Sequence, residues 1–152
     1  MAGTLFVAVS SAPTTDAATV YAAAPTLPTN TSDLTWTAVA TLTTVGGGVA
    51  GFALSYDALA LYVAASVGGV YRATRTSTSA SFSSFTVNAA TASTSFNDVL
   101  VNANGLSVYA LTPFSLAMID VRSDWATAPL VNVTKATNDG SVFLGVAIAP
   151  TL

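Results

Sequence analysis

The chain has 152 residues, 52% of them hydrophobic and only 7% charged, with a formal net charge of −3; an average soluble domain carries roughly 25% charged residues. That acidic balance, with a pI of about 4.2, argues against nucleic acid as a partner, because phosphate binding needs a basic face. Glu, His and Cys are all absent, which removes most metal-ligand sets and most acid–base chemistry, so neither a metal centre nor a cofactor is expected.

In chain order, strand-like runs fall at 5–9, 19–23, 34–42, 51–55, 60–65, 69–74, 82–87, 98–102, 107–111, 116–122, 130–135 and 145–149. Helical periodicity is nearly missing, and the polar positions are mostly Thr, Ser, Ala and Asn. Turn signals separate the runs: Ser11 to Pro13, residues 25–31, Gly46 to Gly48, Asn104-Gly105 and Asn138-Asp139-Gly140. Asn104-Gly105 predicts a type I′ hairpin, since both residues tolerate positive φ; Asp57-Ala58 occupies the same slot earlier in the chain. Mean hydropathy is high at +0.63, yet Ser55, Asp57, Ser66 and paired glycines interrupt the most apolar stretch, 46–71. No membrane span is expected there. A small outer-membrane barrel would need a charged lumen that this composition does not supply. No basic residue precedes the short apolar run at 4–12, so no signal peptide is expected.

The runs repeat. FALSYDALALYV at 52–63 and VLVNANGLSVYA at 99–110 align with a constant offset (99 − 52 = 47, 109 − 62 = 47), and VAIAP begins a third copy at Val146 (146 − 99 = 47). A period of this size, built from short strands, suits one blade of a β-propeller. The expected fold is therefore all-β: one domain of four-stranded antiparallel blades with repeats at about 1–50, 51–97 and 98–144. Residues 145–152 would supply the first strand that the amino-terminal repeat lacks. Three blades are too few for a ring of the usual four to eight. Two chains giving six blades, a larger homo-oligomer, or a piece of a longer propeller would resolve this. A β-sandwich is the alternative architecture.

The phrase ALSYDALALYVA at 53–64, followed by Gly69-Val70-Tyr71-Arg72, resembles the blade motif of YVTN/NHL-type β-propellers. Val108-Tyr109 with Met118-Ile119-Asp120 looks like a second copy, and FLGVAIAP at 143–150 resembles a phrase of related secreted propeller repeats. The resemblance covers most of 48–150 and weakly the first 45. It departs where the family's Pro-Asp-Gly turn becomes Tyr56-Asp57-Ala58 and Ala103-Asn104-Gly105. Propellers of this type include enzymes, sugar binders and scaffolds, so the resemblance implies the fold and leaves the function open.

No catalytic constellation stands out. The acids Asp57, Asp98, Asp120, Asp124 and Asp139 show no paired spacing and read as turn and strand-end residues. Arg72 and Arg75 fall on opposite sides of one strand and, with Arg122, read as salt bridges or strand caps. The aromatics offer packing between blades or, alternatively, stacking on sugars. Trp36, Tyr71, Arg72 and Trp125 are the candidate ligand contacts. Asn30 and Asn132 head N-glycosylation sequons, and Thr/Ser-rich stretches at 74–84 and 91–95 suit O-linked glycans. A weakly charged, hydroxyl-rich surface favours association. The expected function is a non-enzymatic structural or interaction module of an extracellular or cell-surface assembly. The alternatives are a carbohydrate-binding propeller and a fragment of a secreted propeller enzyme.

Overall fold

In a computed structural model, the structure describes residues 6–10, 18–23, 35–42 and 48–135. Among these the chain is all-β, with three antiparallel sheets of three, four and four strands. The first sheet holds β1 (Phe6–Ser10), β2 (Ala18–Ala23) and β3 (Trp36–Leu42). The second holds β4 (Val49–Leu54), β5 (Ala60–Ala65), β6 (Gly69–Thr74) and β7 (Thr86–Val87). The third holds β8 (Asp98–Val101), β9 (Ser107–Leu111), β10 (Ser115–Asp120) and β11 (Leu130–Lys135). Each sheet is a meander in which every strand pairs with its sequence neighbour. The described residues do not close into a barrel or a propeller ring. The expected strand at 145–149 and the turn at 138–140 lie outside the described residues.

The sheets stack face to face in chain order. On β5 every residue from Leu61 to Ala65 is buried, because the second sheet is covered on both sides. Leu61, Val63, Ala65 and Tyr71 meet Val20, Leu42, Phe6 and Ala8 of the first sheet. Tyr62, Ala64 and Val70 meet Val99, Val101, Val108, Ala110 and Ile119 of the third. Strand alternation sends successive side chains to opposite faces, so a strand buried on both sides reads as a continuous apolar run. This explains why ALYVAA lacks the alternation of a half-exposed strand.

The repeat is expressed in pairing as well as in sequence. Phe6 pairs with Ala22, Tyr62 with Arg72, and Tyr109 with Met118. β1 lies against β4 as β5 lies against β8, so β1 corresponds to β5 and β9, and the first sheet lacks a counterpart of β4 and β8 among the described residues. The offset shrinks along each repeat: 109 − 62 = 47 for the tyrosines, but 118 − 72 = 46 for their partners. The β9–β10 turn, where Thr112 N donates to Ser115 O at 2.9 Å, is one residue shorter than the turn from Ala65 to Gly69.

Two local expectations are corrected. The run at 82–87 forms a strand only over Thr86–Val87. Before it, Ser83 N donates to Thr74 O at 2.7 Å and Thr74 N to Ser83 Oγ at 3.0 Å. This short irregular bracket lets both Phe82 and Phe85 pack onto the cluster between the first two sheets, which strand alternation over 82 and 85 would prevent. The second correction concerns Asn104-Gly105. Gly105 has φ +70, but Asn104 does not have positive φ, so the turn is not type I′. Gly105 N donates to Asn102 O at 2.8 Å and Asn102 N to Ser107 O at 2.9 Å, giving a four-residue loop closed by one left-handed residue. The earlier repeat builds the same loop: Ala58 N donates to Ser55 O at 2.8 Å, Ser55 N donates to Ala60 O at 2.9 Å, and Ala58 has φ 57.

Candidate functional site

A cleft lies between each pair of stacked sheets. One cleft, of about 460 Å³, lies between the first and second sheets and is lined by Phe6, Ala22, Ala58, Arg75, Thr78 and Ser81 among others. The second, of about 430 Å³, lies between the second and third sheets; its walls include Asp57, Tyr62, Arg75, Asn104 and Gly105. The two clefts are repeat copies. Phe6 and Tyr62 hold the same place on the preceding sheet, and Ala58 and Gly105 hold the same place in the following turn. Arg75 borders both. Its Nε donates to Ala58 O at 2.8 Å, its Nη1 donates to Thr78 O at 2.8 Å, and its guanidinium lies 4.6 Å from the centre of the Phe82 ring. The cation therefore braces the end of the second sheet.

The four ligand contacts expected from the sequence do not converge on one place. Trp36 is exposed on the far side of the first sheet, at 39%. Tyr71 is buried in the cluster between the first two sheets. Arg72 and Trp125 do meet, between the second and third sheets: the guanidinium carbon lies 5.3 Å from the indole centre. Tyr62 sits edge-on to the same indole, with centroids 5.4 Å apart. Trp125 is 1% exposed, and its Nε1 donates to Thr86 O at 2.8 Å. Arg72, Tyr62 and, at its polar edge, the Thr86 carbonyl thus engage that ring within the protein itself. Arg72 and Arg75 point to opposite sides as expected, yet each stacks on an aromatic ring. Arg122 does form an ion pair, with Asp120.

Asn30 lies outside the described residues, whereas Asn132 and Thr134 are exposed on β11, an edge strand. In the Thr/Ser-rich stretch, residues 76–79 are exposed, and Thr78 and Ser79 line the first cleft.

Ser55 Oγ donates to Asp57 Oδ1 at 2.6 Å and Leu59 N donates to it at 3.0 Å. The Ser55 bond first, then the Leu59 bond, hold the Asp57 carboxyl below its usual range. Arg122 holds Asp120 down to about 2 through its side-chain hydrogen bonds. Burial pushes the Tyr62 phenol up, with Arg72 acting against it. Among the described residues no three Asp, Glu, His or Cys side chains converge as metal ligands, and no helix is long and apolar enough to cross a membrane.

Sequence reasoning missed Asn88. It is fully buried, and its Nδ2 donates to Trp125 O at 2.8 Å and to Ala128 O at 2.9 Å. Two carbonyl acceptors fix which end of the amide is nitrogen. Oδ1 is left without a partner. Nearby, Ala89 N donates to Ala126 O at 2.9 Å, and Thr91 Oγ1 bridges Val70 N and Asn88 O. Together these bonds tie the end of the second sheet to the loop before β11. A lone Asn after a strand carries no sequence signal for such a latch. Compared with known proteins, the chain matches no family model and no curated protein.

Proposed function

We propose that this protein is a non-enzymatic structural or interaction module of an extracellular or cell-surface assembly, built from propeller-type blades. The observation that carries the reading is the asymmetry of the stack. The middle sheet is covered on both faces, while each outer sheet keeps large apolar side chains in contact with solvent. Val7 and Trp36 are exposed on the first sheet, and Val131 and Val133 on the third. Exposed apolar patches of this kind mark association surfaces. The blade reading draws support from the shared turn geometry at Ala58 and Gly105 and from the like-sided stacking of β1 on β4 and of β5 on β8.

Fractionation of the producing cells tests this function. With a tagged chain, the expected result is recovery from the secreted or surface-washed fraction at a mass well above that of the single chain. Recovery as a free monomer from the cell interior overturns it.

A further inference from the structure

We propose that the outward face of the third sheet docks onto the outward face of the first sheet of a second copy, and reciprocally, so that two chains close a ring of six sheets. The proposal rests on the interaction-module reading and names the partner.

Each sheet has a front, turned toward the sheet that follows it, and a rear, turned toward the sheet that precedes it. The first sheet's front carries Phe6, Ala8 and Val20 and is covered by the second sheet's rear, Leu61, Val63 and Tyr71. The second sheet's front carries Tyr62, Ala64 and Val70 and is covered by the third sheet's rear, Val108, Ala110 and Ile119. The same kind of interface is thus made twice, with the same polarity.

Continuing the register identifies two faces that no other described sheet covers. On the third sheet, Tyr109 repeats Tyr62 and pairs with Leu100 on one side and Met118 on the other; Met118 in turn pairs with Val131. These four side chains share the front face by alternation. Leu100, Tyr109 and Met118 are half-buried, and Val131 is 49% exposed. On the first sheet, Val7 repeats Val63 and Tyr21 repeats Tyr71. Val7 pairs with Tyr21, and Tyr21 with Ala38; Trp36, two residues before Ala38, lies on the same rear face.

The front of the third sheet is therefore of the kind that the chain buries under a rear face, and the rear of the first sheet is of the kind that it buries under a front face. A second copy supplies both complements. Two-fold closure satisfies all four faces, whereas a partner with one complement would leave the other open. Charge does not oppose the contact: Asp120, at the border of the third sheet's front, is neutralised by Arg122.

The test uses the full chain, purified alone. Sedimentation across a dilution series should give a species of twice the 15.2 kDa chain mass. Met118→Lys and Trp36→Lys each place a charge in a different half of the junction. Each should weaken dimerisation at least about tenfold while leaving the far-ultraviolet circular dichroism unchanged. The chain has no cysteine, so Trp36→Cys and Met118→Cys make clean cross-linking partners should a lysine variant fail to fold. A short bis-maleimide should join the mixed pair and leave each variant alone uncoupled. A monomer at all concentrations overturns the proposal, as does coupling of one cysteine variant to itself in preference to the mixed pair. A pure monomer that still enters a large surface assembly in cells sinks self-docking alone. A pure dimer found free in the cell interior sinks the functional reading alone.

Discussion

Ala58 and Gly105 occupy the same left-handed position, 47 residues apart (105 − 58 = 47), in two turns closed by the same hydrogen bonds. A Cβ at positive φ crowds the neighbouring carbonyl, at a cost of roughly 1–2 kcal/mol. Glycine avoids that cost but loses more backbone entropy on folding. The two positions are therefore a matched pair. Gly105→Ala should destabilise by about 1 kcal/mol from backbone strain alone, because nothing lies within 4 Å of the added Cβ. Ala58→Gly should stabilise by somewhat less. Urea unfolding of both variants checks this, and a same-sign change in the two would refute the shared geometry.

The same two turns differ in charge. Asp57 Oδ1 accepts from Leu59 N at 3.0 Å, and Asn104 Oδ1 accepts from Leu106 N at 2.9 Å. Only the first acceptor titrates. Its folded-state pKa lies below the ordinary 3.8, so its contribution is fully present above about pH 4 and is lost as the pH falls through the lowered value. Hydrogen exchange at Leu59 should accelerate relative to Leu106 on acidification below pH 4, after correction for intrinsic rates. In Asp57→Asn the two amides should respond alike. Equal behaviour in the unmodified chain would show that the carboxylate does not hold the turn.

How far the sequence carried these features depends on the range of the physics involved. The strands of the second and third sheets were legible where they are buried, because a buried strand needs apolar residues wherever it lies: the expected runs at 60–65, 69–74 and 107–111 coincide with β5, β6 and β9. The turns were half legible. Asn104-Gly105 marked a reversal, but the pair suits several turn types, and Ala58 shows that the backbone adopts the left-handed state even where the residue disfavours it. What stayed hidden is what depends on residues distant in sequence. Arg72 reads as a strand-end cation until Trp125 is placed beneath it. Asn88 reads as a loop residue until the carbonyls of Trp125 and Ala128 arrive 37 and 40 positions later.

Asn88 is where one substitution should cost most for its size. Asn88→Ala removes the donor for two buried carbonyl oxygens, and an unsatisfied buried polar group costs about 1–3 kcal/mol. A loss of about 2 kcal/mol or more is expected, with faster hydrogen exchange at Ala89 N, which donates to Ala126 O in the same latch. Asn88→Asp should be no better than Ala, because a carboxylate facing two carbonyls repels them. A change within 0.5 kcal/mol in Asn88→Ala would mean that water replaces the amide at no cost.

Gly51 on β4 shows how closely the first strands of successive repeats approach. It aligns with Asp98, the first residue of β8 (98 − 51 = 47), and the two meet in space. A Cβ built on Gly51 would lie 2.9 Å from the Asp98 Cα and 3.2 Å from Val99 N. Those neighbours are backbone and cannot rotate away, so the sheets themselves must separate. Gly51→Ala should therefore destabilise by roughly 1–3 kcal/mol, unlike an alanine on an exposed strand. The double variant Gly51→Ala, Asp98→Ala removes the carboxylate but leaves the Cα in place, so it should recover little of the loss. Full recovery in the double variant would show that the side chain, and not the approach of the two strands, sets the requirement for glycine.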